Sequence, residues 1–235
     1  MTLNEMKEYF FRLYGRRNRI FLSGLGERIK FLNLGIADLQ EAIRKNYGPE
    51  ILGIALARIV SRIFCIAENF WSLPLVEMMA RKYPLTHCAY CQKFPCECSE
   101  RRPEAVLAES AEEEFQWSLK DWCKHLNDVY GEKNKTKGIE NLINRLFKEV
   151  SELLSLEMDL SNSNADDNLD RIEERFALEL ADSLAWTIAV SNFLGMDLER
   201  EVLKRYGSGC WRCGKNPCTC SGFNMKPVKL EAIKK

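Results

Sequence analysis

Residues 145–154 read RLFKEVSELL and residues 177–186 read ALELADSLAW. In the first stretch Glu149 and Glu152 are three apart; in the second Glu179 and Asp182 are three apart. On an α-helix, positions i and i+3 share a face. Val150, Leu153, Leu154, Leu178, Leu180 and Leu184 surround these acids with apolar residues at helical spacing. Each stretch therefore predicts a helix whose carboxylate pair lies beside an apolar face. A solvated face would explain either pair alone. Two pairs on consecutive helices predict four carboxylates gathered in a small volume, which repel one another without cations. One to three Mg2+ ions would turn that arrangement into a hard-oxygen site suited to phosphates.

Outward from these stretches the chain reads as helical and as a tandem repeat. TLNEMKEYFFRLYGRRN (2–18) aligns directly with SLKDWCKHLNDVYGEKN (118–134), pairing Leu3 with Leu119, Tyr14 with Tyr130, Gly15 with Gly131 and Asn18 with Asn134. Thr2 and Ser118 are N-cap types, and the two glycines are expected to stop these helices. Expected helices in the first copy are Leu3–Tyr14, Leu25–Lys45, Pro49–Leu73 and LVEMMARKY (75–83). Those of the second are Leu119–Tyr130, Ile139–Met158, Leu169–Phe193 and DLEREVLKRY (197–206), with a polar loop over 159–168. The expected fold class is all-α: two four-helix-type bundles over 1–100 and 118–222, a charged linker over 101–117, and a Lys-rich flexible tail over 223–235.

Each copy ends in the same cysteine knot. CAYCQKFPCEC carries Cys88, Cys91, Cys96 and Cys98; CWRCGKNPCTC carries Cys210, Cys213, Cys218 and Cys220. Four thiolates at C-x2-C-x4-C-x-C spacing predict one tetrahedral metal per knot, Zn2+ in a structural role, with an Fe–S cluster as the alternative. No position is left open for water, and neither His87 nor His125 is needed as a ligand. Cys65 and Cys123 stand apart and are expected to be interior thiols.

Hydrophobic content of 46% and zero formal net charge describe a folded globular chain of 235 residues. Residues 1–100 hold 14 Lys+Arg against 10 Asp+Glu, a net of about +4, and the remainder balances it. That asymmetry is too small to indicate nucleic acid. No apolar run approaches the roughly 18 residues of a membrane span, and MTLNEMKEYFF lacks the order of a signal peptide. A cytoplasmic location is the resulting expectation, and it favours metal over disulfides for the clustered cysteines.

Residues 118–206 resemble the MazG-like, all-α nucleoside triphosphate pyrophosphohydrolases, whose mark is E-x-x-E on one helix and E-x-x-D on the next. Here that mark is Glu149-x-x-Glu152 after Arg145-Leu146, then Glu179-x-x-Asp182, followed by a turn at Gly195 and Asp197-Leu198 and a closing helix. Lys148 departs from the pattern, since many members carry an acid there. The resemblance implies that these four acids hold catalytic Mg2+. It also implies that a nucleoside triphosphate is cleaved to the monophosphate and pyrophosphate by water attack at the α phosphorus. Arg145, Lys133, Lys137, Lys204 and Arg205 are the candidate phosphate partners. Asn134 and Asn192 are candidates for phosphate or sugar, and Trp122 and Trp186 for stacking a base.

In the first copy, counting back from Tyr83 against Tyr206 places Leu56 and Ile59 where the second has Glu179 and Asp182. Counting from Arg28-Ile29 places Leu32 and Gly35 at Glu149 and Glu152, and another register offers Asp38 and Glu41. The first copy is therefore expected to be degenerate and to form a pseudo-dimer with the second inside one chain. A homo-oligomer beyond that pair is compatible with the resemblance. Arg58 and Arg62, four apart, share a face that could reach acids or a phosphate. The rival reading is a non-catalytic zinc-containing nucleotide sensor, or a nucleic-acid or protein adaptor.

Overall fold

The computed structural model describes residues 1–69, 74–98, 105–109, 112–162 and 169–222. Among these it has seven α-helices: α1 (Leu3–Phe21), α2 (Leu25–Arg44), α3 (Pro49–Asn69), α4 (Leu75–Lys82), α5 (Leu119–Asn162), α6 (Leu169–Phe193) and α7 (Leu198–Tyr206). A 3-10 turn at Glu112–Gln116 precedes α5, and no strand is present among the described residues.

Both N-caps form as expected. The Glu5 amide donates to Thr2 Oγ1 and the Glu5 carboxylate accepts from the Thr2 amide, a capping box. Ser118 and Asp121 make the same reciprocal pair. The glycine stops do not form. Gly15 lies inside α1 and Gly131 inside α5, neither at positive φ. A glycine in a helix interior costs only about 1 kcal/mol against alanine, too little by itself to end a helix. The break comes at Gly138, with φ 76° and ψ 162°. That combination is open essentially to glycine alone, and it splits α5 where the first copy has the connection between α1 and α2.

Two further boundaries differ. α5 continues to Asn162, so the expected polar loop begins later, and 163–168 lie outside the described residues. The expected end of α3 at Leu73 and the tail over 223–235 also lie outside them. Within the linker, 105–109 is non-helical and pinned to the first copy: the Val106 amide donates to Ala89 O at 3.0 Å and the Ala108 amide to Arg81 O at 2.8 Å.

The two copies are exchanged rather than merely adjacent. α1 and α2 pack on α3, and α5 packs on α6. The short helices cross over: α4 packs on α6, and α7 packs on α3. The knots cross over as well. The Cys96 amide donates to Val129 O and the Cys218 amide to Leu13 O, both at 2.9 Å, so each knot is tied to the first helix of the other copy. Tyr83 meets Tyr130 edge-on at 6.1 Å and Tyr206 meets Tyr14 edge-on at 6.0 Å. These paired contacts describe a pseudo-twofold arrangement. Phe10, Leu56, Ile63, Trp122, Phe176 and Leu184, from both copies, belong to one continuous core. No helix among the described residues is long and apolar enough to cross a membrane.

Candidate active site and metal centres

The break at Gly138 lets α5 turn back so that its second part lies along α6, as the shared E-x-x-E and E-x-x-D faces require. Ligand oxygens of Glu149, Glu152 and Glu179 come within 4.8 Å of one another. They line a cavity of about 330 Å3 shared with Lys82, Tyr83, Tyr90, Tyr130, Lys133, Asn134, Arg145, Lys148, Asp182 and Trp186.

Asp182 shares the cavity but stands apart from the three glutamates. Its carboxylate accepts from Lys82 Nζ and from the Tyr83 hydroxyl, each at 2.6 Å. Side-chain exposures of 11% and 10% make the Lys82–Asp182 pair a buried one. Both partners of Asp182 come from α4 and its C-cap, so the first copy completes the second copy's cavity. Lys82, Tyr83 and Tyr90 join the cavity although the acidic motif lies in the other copy. The available signal was a basic residue followed by tyrosine before each knot, Lys82-Tyr83 and Arg205-Tyr206.

The electrostatics arise from burial and crowding. Burial pushes the Glu149 carboxyl up to about 8, helped by its hydrogen bond with Glu152 and by the Asp182 charge. Burial also raises Glu179, against the attraction of Lys82. For Glu152 burial is outweighed by the Lys148 hydrogen bond, at 2.6 Å, and its pKa falls. Lys82 stays charged because Asp182 outweighs the burial that would lower it. Lys148, where the resemblance expects an acid, thus holds Glu152 directly and lies 3.9 Å from Glu149.

The structure brings Lys133, Asn134, Arg145 and Trp186 to the cavity and leaves the other candidates elsewhere. Trp122 is fully buried against Trp117 and His125 and cannot stack a ligand. Asn192 donates to Cys123 O at 2.8 Å, tying α6 to the start of α5. Lys204 is exposed on α7, and the Arg205 guanidinium covers the Trp211 ring at 4.6 Å in the second knot. Lys137 is not among the cavity's lining residues.

In each knot the four cysteines also place their sulfurs within 4.8 Å of one another. Cys88 and Cys98 Sγ are 3.7 Å apart, Cys210 and Cys220 3.9 Å, and Cys213 and Cys218 4.0 Å. Tetrahedral zinc with Zn–S bonds of about 2.3 Å places sulfurs about 3.8 Å apart, so the donor sets fit such an ion. Backbone amides of Thr219 and Lys215 pull Cys213 down to about 6. Cys91 falls to about 7, since the amides of Lys93 and Glu97 overcome its burial. Each knot thus has one thiol ready to ionise for a metal. The first knot also touches the acidic cavity, because Lys133 Nζ donates to Cys98 O at 2.7 Å. Cys65 is buried and Cys123 half-buried, and burial raises both, Cys123 to about 12.

No protein-family model, no curated protein and no solved structure matches this chain.

Proposed function

We propose that the chain is a Mg2+-dependent nucleotide pyrophosphohydrolase of MazG-like type. In this reading the second copy carries the acids and the degenerate first copy closes the cavity. The observation that carries it is the convergence of Glu149, Glu152 and Glu179 in one cavity that also presents Lys133, Arg145 and Lys148. Carboxylates gathered beside cations suit a ligand that brings both divalent metal and phosphate. A volume of 330 Å3 falls in the range of small-molecule sites.

The three glutamates are the residues that would hold Mg2+. The bound ion supplies charge neutralisation at the phosphates and a more acidic water. Glu149 or Glu152, ionised on binding the metal, would take the proton of the attacking water. Attack at the α phosphorus breaks its bond to the bridging oxygen, leaving a nucleoside monophosphate and pyrophosphate. Lys133 and Arg145 offset the phosphate charge, and Trp186 and Tyr90 offer rings to the nucleoside. Lys82 and Tyr83 are positioning residues that fix Asp182. The two knots hold Zn2+ as structural clamps between the copies.

The test is a product assay with full-length protein, Mg2+ and a panel of NTPs and dNTPs, with Glu179→Gln as control. Monophosphate plus pyrophosphate, lost in the variant, supports the proposal. A second reading, a nucleotide sensor without turnover, is favoured by the Lys82–Asp182 and Lys148–Glu152 pairs, which compensate two of the four acids without metal. Binding across the panel with no turnover would select it.

A further inference from the structure

The pseudo-twofold that builds the acidic cavity builds a second one at the equivalent place in the first copy. It lies among α1, α2, α3 and the second knot, framed by the Tyr14–Tyr206 pair as the acidic cavity is framed by Tyr130–Tyr83. Its lining has the opposite charge. Arg17, Arg28, Arg58, Arg62 and Arg212 all line it, and none of the described lining residues is a carboxylate. Counting along the sequence pointed to Leu56 and Ile59 as the α3 positions facing this place; both are core residues, and Arg58 and Arg62 face it instead. Arg58 and Arg62 lie two and three residues beyond the counted positions, turns of about 200° and 300° around the helix, so a count through a loop does not fix the face. Arg62 also fills the slot left at Gly35, where any Cβ would meet its guanidinium. Position 35 is the one counted as equivalent to Glu152.

Four of the five guanidiniums are held in place. Arg28 donates to Cys65 O, Arg62 to Phe31 O, and Arg58 pairs with Asp38 at 3.0 Å. Arg17 lies over the Tyr14 ring and donates to Asn18. Arg58 is offset by Asp38 and Arg212 stands exposed at the rim, while Arg17, Arg28 and Arg62 add further guanidinium forks to the same cavity, and such forks match phosphate oxygens. The cavity volume of about 60 Å3, against 330 Å3 for the acidic one, admits a phosphoryl-sized group and not a nucleoside.

We infer that the first copy is a binding site in its own right, taking a phosphate-class oxyanion without divalent metal. Loss of the acids at 32 and 35, with Arg58 and Arg62 turned into the cavity, gives a phosphate site that needs no metal on the same scaffold. This does not rest on turnover in the second copy, and the test is run in a chelator of Mg2+ so that the two fail separately.

Full-length protein in EGTA and low EDTA at about 0.15 M salt, where surface charges are largely screened, is titrated with inorganic phosphate and then pyrophosphate by calorimetry. Retention of the knots is verified by cysteine-metal content. Saturable binding is expected, weakened about tenfold in Arg17→Gln/Arg212→Gln, which removes one half-buried and the exposed arginine and spares Arg28, Arg58 and Arg62. Glu179→Gln, in the other cavity, should leave it unchanged. A nucleoside monophosphate arm identifies the source: affinity above that of phosphate assigns the group to a nucleotide whose base lies outside, and affinity for phosphate alone assigns the free anion. Absence of saturable binding, or binding untouched by the double arginine variant in a folded protein, overturns the inference.

Discussion

At the scale of the residue, Glu149 shows how packing changes an ordinary acid. Burial, Glu152 and Asp182 together raise its pKa from 4.5 to about 8. In the unfolded chain it ionises at its ordinary value, so between pH 4.5 and 8 the folded state binds the extra proton. Stability from this group therefore falls as pH rises across that window and levels off above it. Metal-free Glu149→Gln is expected to match the parent in thermal midpoint at about pH 4.5–5 and to exceed it at about pH 8, measured by calorimetry. Lys82 has the opposite role. Lys82→Met leaves Asp182 buried without its cation and is expected to cost about 3–5 kcal/mol in urea denaturation. Tyr83→Phe removes one hydrogen bond to the same carboxylate and is expected to cost about 1.5–3 kcal/mol. Equal, negligible losses would mean that Asp182 is hydrated and the pair is incidental. The glutamates were legible because a spacing of three on an apolar helix is a local signal. Lys82 was not, because its partner lies 100 residues away.

At the scale of the element, the two glycine positions of α5 separate propensity from conformation. Gly131 has helical backbone and Gly138 does not. Gly138→Ala forces a side chain into a region that only glycine adopts freely and is expected to cost about 1–3 kcal/mol. Gly131→Ala stays within about 1 kcal/mol, its Cβ meeting only the movable end of Asn127. Paired denaturation curves decide it, and equal effects would mean that the break is set by packing rather than by Gly138. The caps at Thr2 and Ser118 and the starts of α2, α3, α5 and α6 were legible, since capping chemistry and hydrophobic period are local. The false stops at Gly15 and Gly131 arose because glycine tolerates helical backbone as well as the positive φ seen at Gly138, and its type alone does not say which it adopts.

At the scale of the whole molecule, the crossed knots and crossed short helices make the halves interdependent. Each knot is hydrogen-bonded to the first helix of the other half, so loss of a metal held there is expected to loosen both. A strong zinc chelator is expected to lower the thermal midpoint in one transition rather than two, since the halves share a core. Two separated transitions would show that each knot stabilises only its own half. A chain of residues 112–222 alone loses α3, against which α7 packs, together with Lys82, Tyr83 and the first knot. It is expected to associate or remain unfolded, and to lack turnover. A stable, active monomer of that piece, seen by light scattering and product assay, would show that the first copy is dispensable.

The helical class, the repeat, the two four-cysteine clusters and the paired acids can be read along the chain, because each is written in spacings of a few residues. Which copy completes which cavity, the clamping of Asp182 from the other half, the burial of Trp122 in the core and the arginines that α3 turns where α6 turns acids emerge only from the packed fold. Those facts depend on the rotation of a helix about its axis and on contacts between residues about a hundred positions apart. Packing of the shared core sets both, and no local spacing records them.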